Sequence, residues 1–270
     1  LDTLAPELSE FEIMPGNGLK GQIKENGKTE VLLGGNQSAI EKVTVIDDTV
    51  KGQANRLAEE GKTPLEIAEY YTKSFFNDLD RLNIQRPEIV CKATEHIEDM
   101  LNYVKKLIEN GYAYETSTAI YFDVSKLDDY GILSGINLRE QKHGARVEID
   151  KEKKNPYDFA LWIKAPENHL MKWESPWGLS YPGWHIECSA MSQKYLGEVF
   201  DIHTGGIDLI PTHHENEIAQ SKGYSGKIPA NYWMHGEYLL MNGGKMSKSL
   251  GNVYLLQDLI DKGYNPLVYK

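Results

Sequence analysis

Lys245-Met246-Ser247-Lys248-Ser249, followed by Leu250-Gly251-Asn252, is the stretch on which the reading of this chain turns. Two lysines three residues apart bracket a serine, and Gly244 stands just ahead of them. A loop of that composition can lay two ammonium groups and several backbone N–H donors along a polyphosphate. Such donors neutralise charge as it develops on a leaving pyrophosphate. Lys/Ser-rich loops are ordinarily solvated surface, so the assignment depends on what stands upstream.

Upstream, Cys188, His213 and Glu217 form a metal-ligand set by residue type and spacing. His213 and Glu217 are four apart, so on a helix they share one face and can grip one ion. Gly205, Gly206 and Pro211 supply the turn that such a helix needs before it starts. Thiolate, imidazole and carboxylate together suit zinc, and three protein ligands leave one tetrahedral position open. On residue types alone the alternative is a buried structural cysteine beside a histidine pair at a helix N-terminus. A zinc peptidase is a remote reading, because His213-His214-Glu215 lacks the H-E-x-x-H spacing.

Composition sets the bounds. The chain has 270 residues, 40% hydrophobic and 26% charged, which describes a soluble globular protein of one large domain or two smaller ones. No apolar stretch approaches the ~18–20 residues needed to span a bilayer, and no signal peptide opens the chain. Two cysteines leave no scope for a disulfide scaffold, so a reducing cytoplasm is the expected setting. The net charge of −11 argues against general nucleic-acid coating but leaves local lysines free to meet phosphates. For Lys222 and Lys227 the simpler reading is solvated surface.

The periodicity is that of an α/β protein. Residues 63–82 place Leu65, Ile67, Ala68, Tyr71, Phe75 and Leu79 at helical spacing, opened by a Thr63-Pro64-Leu65-Glu66 capping box. Residues 92–110 repeat the pattern with Ile97, Met100, Leu101, Val104 and Leu107, and Gly111 closes that helix. Residues 112–177 carry short alternating strands among turn residues. Residues 199–202 read as a short buried strand that feeds a Gly205-Gly206 turn and the ligand helix. Near the start, Gly16-Asn17-Gly18-Leu19-Lys20-Gly21 matches G-x-G-x-x-G, but no helix follows as a dinucleotide site requires. Asn26-Gly27, between Ile23 and Val31-Leu32, predicts a hairpin with a type I′ turn instead.

Several longer blocks agree with the first two constellations. They include Pro182-Gly183-Trp184-His185-Ile186-Glu187-Cys188-Ser189-Ala190-Met191, Phe200-Asp201-Ile202-His203-Thr204-Gly205-Gly206-Ile207-Asp208, and His213-His214-Glu215-Asn216-Glu217-Ile218-Ala219-Gln220-Ser221. With Ala93-Thr94-Glu95-His96-Ile97, Trp173-Glu174-Ser175-Pro176-Trp177-Gly178 and the lysine loop, they closely resemble the cysteinyl-tRNA synthetases, class I enzymes whose KMSKS loop residues 245–249 reproduce letter for letter. The resemblance runs from about Ile46 to the C-terminus. It implies a Rossmann-like nucleotide-binding fold with an inserted connective α+β region. The implied organisation is an atypical segment over 1–43, a helical part of the catalytic domain over 44–111, the insertion over 112–180, and the second half of the catalytic domain over 181–270.

The same resemblance implies chemistry. L-cysteine would be activated by ATP with Mg2+ and passed to tRNA(Cys). One zinc ion per chain, on Cys188, His213 and Glu217, would take the substrate thiolate, which separates cysteine from serine better than an apolar pocket worth ~1–3 kcal/mol. Trp184 and His203 would contact the substrate, with His185 and His214 nearby as orienting donors or as packing. Gly205, Gly206, Asp208, Met246, Ser247 and Lys248 would meet the nucleotide, and Lys245 and Lys248 would act in catalysis. Relatives often carry histidine where this chain has Leu209. A monomer in the cytoplasm, with no membrane contact, is the implied state.

The chain also departs from the pattern. The family's Cys-Gly-Pro-Thr-Val-Tyr strand end, with its fourth zinc ligand, and its His-Ile-Gly-His helix start are not found. Residues 18–43 stand in that place with unrelated sequence, and Cys91, in Ile89-Val90-Cys91-Lys92, does not match the absent ligand's motif. Residues 263–270 stop where relatives continue into RNA-binding helices, which reads as an incomplete chain. Two other readings stay open on these grounds. One is a silent cysteine- and zinc-binding module; the other is a ligase of the same superfamily that joins cysteine to an amino sugar.

Overall fold

The computed structural model describes residues 63–136, 151–241, 244–246 and 254–270, together with the strand backbone of 11–12, 21–25 and 29–33. The expectations for residues 44–48 and for Ser247 and Lys248 fall outside these. The chain divides into two compact units, Leu1–Val90 with Gly236–Lys270, and Cys91–His235. The architecture is mixed helix and strand, the α/β class expected. Among the described residues no helix is long and apolar enough to cross a membrane.

In the first unit β1 (Phe11–Glu12) precedes a hairpin of β2 (Gly21–Glu25) and β3 (Thr29–Leu33). The strands are those of the expected hairpin, with Glu25 opposite Thr29; the type I′ turn expected at Asn26-Gly27 falls outside the described residues. The observed register opposes Ile23 to Val31 and Lys24 to Glu30. Helix α1 (Pro64–Arg81) begins where its cap predicts. The Thr63 hydroxyl accepts from the Glu66 N–H at 3.3 Å, and the Glu66 carboxylate accepts from the Thr63 N–H at 2.6 Å.

The second unit carries the main core. Residues 92–95 do not join the helix that follows: Ala93–Glu95 is a 3₁₀ turn, and α2 runs Ile97–Glu109. His96 breaks the two, with φ −124° and ψ 21°, because its ring is tied at 2.7 Å to both the Lys92 carbonyl and the Tyr195 hydroxyl. At the far end Gly111 (φ +80°) accommodates a left-handed turn. Its N–H reaches the Ile108 carbonyl, while that of Tyr112 reaches Leu107, a Schellman closure.

Strands β4 (Ala113–Glu115), β5 (Ala119–Phe122), β6 (Phe159–Lys164) and β7 (Ser180–Pro182) then form an antiparallel sheet in sequence order. The alternation expected here fails at β5, whose four residues are all buried. One side packs on α2 through Met100, Val104 and Leu107, and the core continues through Leu161, Trp162, Ile186 and Ala190. Buried Asp158 ties the region together, accepting from the N–H groups of Val124 and Asn155 at 3.0 Å and from the Tyr114 hydroxyl at 2.6 Å.

Helix α3 (Trp184–Leu196) starts directly off β7 at Gly183, whose N–H bonds the Leu161 carbonyl at 2.9 Å. A Cβ on Gly183 would lie 2.2 Å from the Ala160 carbonyl oxygen, so backbone must move to admit one. Gly183→Ala is expected to cost about 1–3 kcal/mol, as other overpacking does, which a denaturant midpoint measures. An unchanged midpoint would mean that the β6–α3 junction is not as close as described.

Strand β8 (Phe200–Gly206) pairs with β9 (Ala230–Gly236). It corrects the expected short buried strand: seven residues long, it leaves Ile202 52% exposed, with Val199 just before it 42% exposed. A 3₁₀ turn (Ile207–Leu209) and a π turn (Ile210–His214) lead into α4 (Glu215–Ser225). The remainder belongs to the first unit: β10 (Leu240–Met241), β11 (Gly244–Lys245), α5 (Leu256–Asp261) and α6 (Pro266–Tyr269). β10 pairs antiparallel with both β1 and β11, with Met241 opposite Gly244.

Candidate functional site

Helix α4 is polar in sequence yet buried over most of its length, and its partners explain why. Glu215 accepts from the backbone N–H groups of Gly131, Leu133 and Ser134 at 2.8–3.1 Å. Asn216 meets His185 at 3.0 Å and accepts from the Tyr130 hydroxyl at 2.6 Å. Gln220 accepts from Ser189 on α3 at 2.5 Å. A buried polar group is tolerated when it is hydrogen-bonded, and these bonds fix α4 against α3.

That packing brings the predicted ligands together. One donor atom each from Cys188, His213 and Glu217 lies within 4.8 Å of the others. His213 Nε2 stands 3.0 Å from Glu217 Oε1, across the four-residue step from the π turn into α4. Trp184 lies over His213 at 4.4 Å between ring centroids. His203, from β8, sets its Nε2 3.2 Å from Glu217 Oε2. A second group with the same spread, His203, His214 and Glu217, therefore shares the carboxylate with the first.

Charge at the site follows from burial. Burial alone would raise Glu217, but hydrogen bonds from His203 and His213 outweigh it and hold the carboxyl below its usual range. Burial holds His185 down to about 3, aided by the neighbouring charge of His213. His214 is likewise held at about 3. The Cys188 thiol is pushed well up by burial and then by the Glu217 carboxylate. It is a thiol without a metal and must lose its proton to bind one. Soft sulfur, imidazole and an anionic oxygen on one centre fit zinc, so the residues present suit the ion expected.

The remaining predicted residues divide. Gly205 and Gly206, expected as a turn, instead end β8. Gly205 is needed for close approach: a Cβ would lie 2.6 Å from His214 Cε1 and 2.8 Å from Leu209 Cδ1. Asp208 is half-buried on the following 3₁₀ turn. Met246 follows β11 and is half-buried, and Lys245 is the last residue of that strand. Trp233 and His235, two apart on β9, were not singled out from sequence. Yet His235 Nε2 meets His214 Nδ1 at 2.8 Å, and the Trp233 ring packs on both His203 and His214. Their period-2 placement on a strand beside a histidine-rich segment was the available signal.

Residues 31–268 match the family described as tRNA synthetases class I (C), catalytic domain. The chain belongs to that family. As a class I (C) synthetase domain, it is similar to proteins named cysteine–tRNA ligase. That of Treponema denticola is 56% identical over 227 residues, 83% of this chain and 46% of the relative. That of Carboxydothermus hydrogenoformans is 53% identical over 223 residues, 83% and 47%. That of Methanococcus maripaludis is 52% identical over 227 residues, 84% and 47%. The class I (C) domain here thus spans about half the length of these relatives.

Proposed function

We propose that this chain carries the cysteine-activating site of a cysteine–tRNA ligase. The reading joins L-cysteine to AMP from ATP with release of pyrophosphate, then passes the cysteinyl group to tRNA(Cys). The observation that carries it is the convergence of Cys188, His213 and Glu217 in a class I (C) domain. Zinc held there supplies a soft Lewis-acid position that prefers a thiolate to a hydroxyl. Around it, the Trp184 ring over His213 makes an apolar wall, and His203 orients the second oxygen of Glu217. Gly205, Gly206 and Asp208 are assigned to the nucleotide, with Met246 and Ser247. Lys245 and Lys248 balance the charge that grows on the transferring phosphoryl group and the pyrophosphate. Side chains need form no covalent bond to substrate, because positioning and electrostatics carry this transfer. Action as a monomer belongs to the same reading, as does a reducing, cytoplasmic setting, which the low cysteine count of two in 270 residues supports.

Cysteine-dependent exchange of pyrophosphate into ATP, on protein of measured zinc content, tests it. Exchange that falls at least about 100-fold in Lys248→Ala, as losing one preorganised charge implies, supports the reading. The absence of the His-Ile-Gly block favours one rival, a module that binds zinc and cysteine without activating it. Zinc and cysteine binding with no exchange would establish that rival.

A further inference from the structure

Resting on the reading that His213 is a metal ligand, we propose that Tyr130, Asn216 and His185 form a hydrogen-bond chain behind it whose direction is set by whether His213 Nε2 holds an ion, and that Asn216 positions the ligand by turning its amide. The chain is continuous. The Tyr130 hydroxyl lies 2.6 Å from Asn216 Oδ1, Asn216 Nδ2 3.0 Å from His185 Nε2, and His185 Nδ1 3.0 Å from His213 Nδ1. His213 Nε2 then faces Glu217 Oε1 at 3.0 Å. His185, Asn216 and His213 are all buried.

Each link constrains the next. Burial holds His185 below its usual range and pushes the Tyr130 phenol above its own, so each side chain carries one hydrogen. Where Asn216 Nδ2 donates to His185 Nε2, the hydrogen of His185 must sit on Nδ1 and point at His213 Nδ1. His213 then has to carry its own hydrogen on Nε2, where it donates to Glu217. That arrangement closes the ligand atom to a metal.

An ion on His213 Nε2 requires a lone pair there. The His213 hydrogen moves to Nδ1 and donates to His185 Nδ1, and the His185 hydrogen moves to Nε2. His185 now needs an acceptor, which Asn216 supplies by rotating its amide half a turn to present Oδ1. Asn216 Nδ2 then donates to Tyr130, whose own hydrogen turns to another acceptor. Each imidazole holds one ring hydrogen before and after, so the reversal takes up no net proton; the proton released on binding is that of Cys188. Every bond in the chain survives, which a single-donor side chain in place of Asn216 could not achieve. Outer partners of this kind commonly control metal affinity 10–100-fold.

The test is nitrogen-15 NMR of histidine-labelled chain, zinc-free and zinc-loaded, with zinc content measured on the same samples. Long-range proton–nitrogen couplings report which ring nitrogen is protonated. The expected result is His185 protonated at Nδ1 without zinc and at Nε2 with it. A His185 tautomer unchanged by bound zinc would overturn the relay and leave the metal reading intact. A chain that takes up no zinc would overturn both. Two variants give an independent answer of opposite sign. Asn216→Asp can only accept, locks the ion-ready direction, and should hold zinc as tightly as the parent or more so. Asn216→Leu breaks the chain and should weaken zinc about 10–100-fold. Equal weakening by both would assign Asn216 to packing alone.

Discussion

Cys188→Ser is expected to cost the chain its zinc, weakening binding by more than the roughly 100-fold that loss of an outer partner can cause. The geometry gives the reason. Cys188 is the sulfur in a group otherwise made of one imidazole and one carboxylate, and a serine hydroxyl neither ionises at neutral pH nor matches the softness of zinc. The fold should survive, because without a metal the buried thiol is protonated and the exchange is close to isosteric. The expected readout is a zinc content near zero after gel filtration, with a denaturant midpoint close to that of the chelated parent. Cys91→Ser is the control: Cys91 packs at the edge of the core and is not among the ligand group, so zinc content should not change. Full zinc retention by Cys188→Ser would place the ion on His203, His214 and Glu217 instead, the second group that shares the carboxylate.

Much of this was legible in the sequence wherever one residue type has one common use. The Thr63–Glu66 box and Gly111 marked helix ends because side-chain and backbone geometry there are local. The pairing of His213 with Glu217 was legible because a four-residue step sets two side chains on one helix face, whereas Cys188 joined them through the family resemblance. The start of α2 was misplaced because a tertiary contact, the His96 ring on Tyr195, overrode a continuous helical pattern. Gly205 was visible as a glycine but not for its reason, since the ring it admits comes from a residue nine positions later. Least legible was α4. Glu-Asn-Glu-Ile-Ala-Gln-Ser is polar, and periodicity has no means of showing that Glu215, Asn216, Glu217 and Gln220 each meet a partner from another element. Asn216 and Tyr130 were missed for that reason: their roles exist only as contacts between elements 86 residues apart.

Stability of the zinc-free chain should pass through a maximum near pH 6.5 and fall on both sides, at slopes fixed by a few buried groups. His185 and His214 are held at about 3 in the folded chain, against about 6.5 when unfolded. Between those values only the unfolded chain binds their protons, so each costs stability as pH falls, by about 1.4 kcal/mol per pH unit. Glu187 has the opposite sign. Buried, with Oε2 lacking a hydrogen-bond partner among the described residues, it is raised well above 4.5. The folded chain therefore keeps its proton where the unfolded chain has lost it, and stability declines as pH rises from 4.5. From pH 6.5 down to 4.5 the two histidines together outweigh Glu187, so stability falls with pH. Below 4.5 the Glu187 contribution ends and Glu217, held low by His203 and His213, joins the histidines. Three protons then act together, about 4 kcal/mol per unit. His235, lowered but closer to solvent, adds a smaller part in the same direction. Above 6.5 the histidines no longer contribute, and Glu187 gives a decline as pH rises. Urea unfolding of chelated protein from pH 4 to 8 measures the curve, and Glu187→Gln separates its components. That variant should flatten the alkaline side and steepen the fall between 4.5 and 6.5, because the histidines then act unopposed. A parent curve that is level from pH 6.5 to 5 would mean that the histidine cluster is open to water without its metal, and that α3 and α4 come together only when the ion is bound.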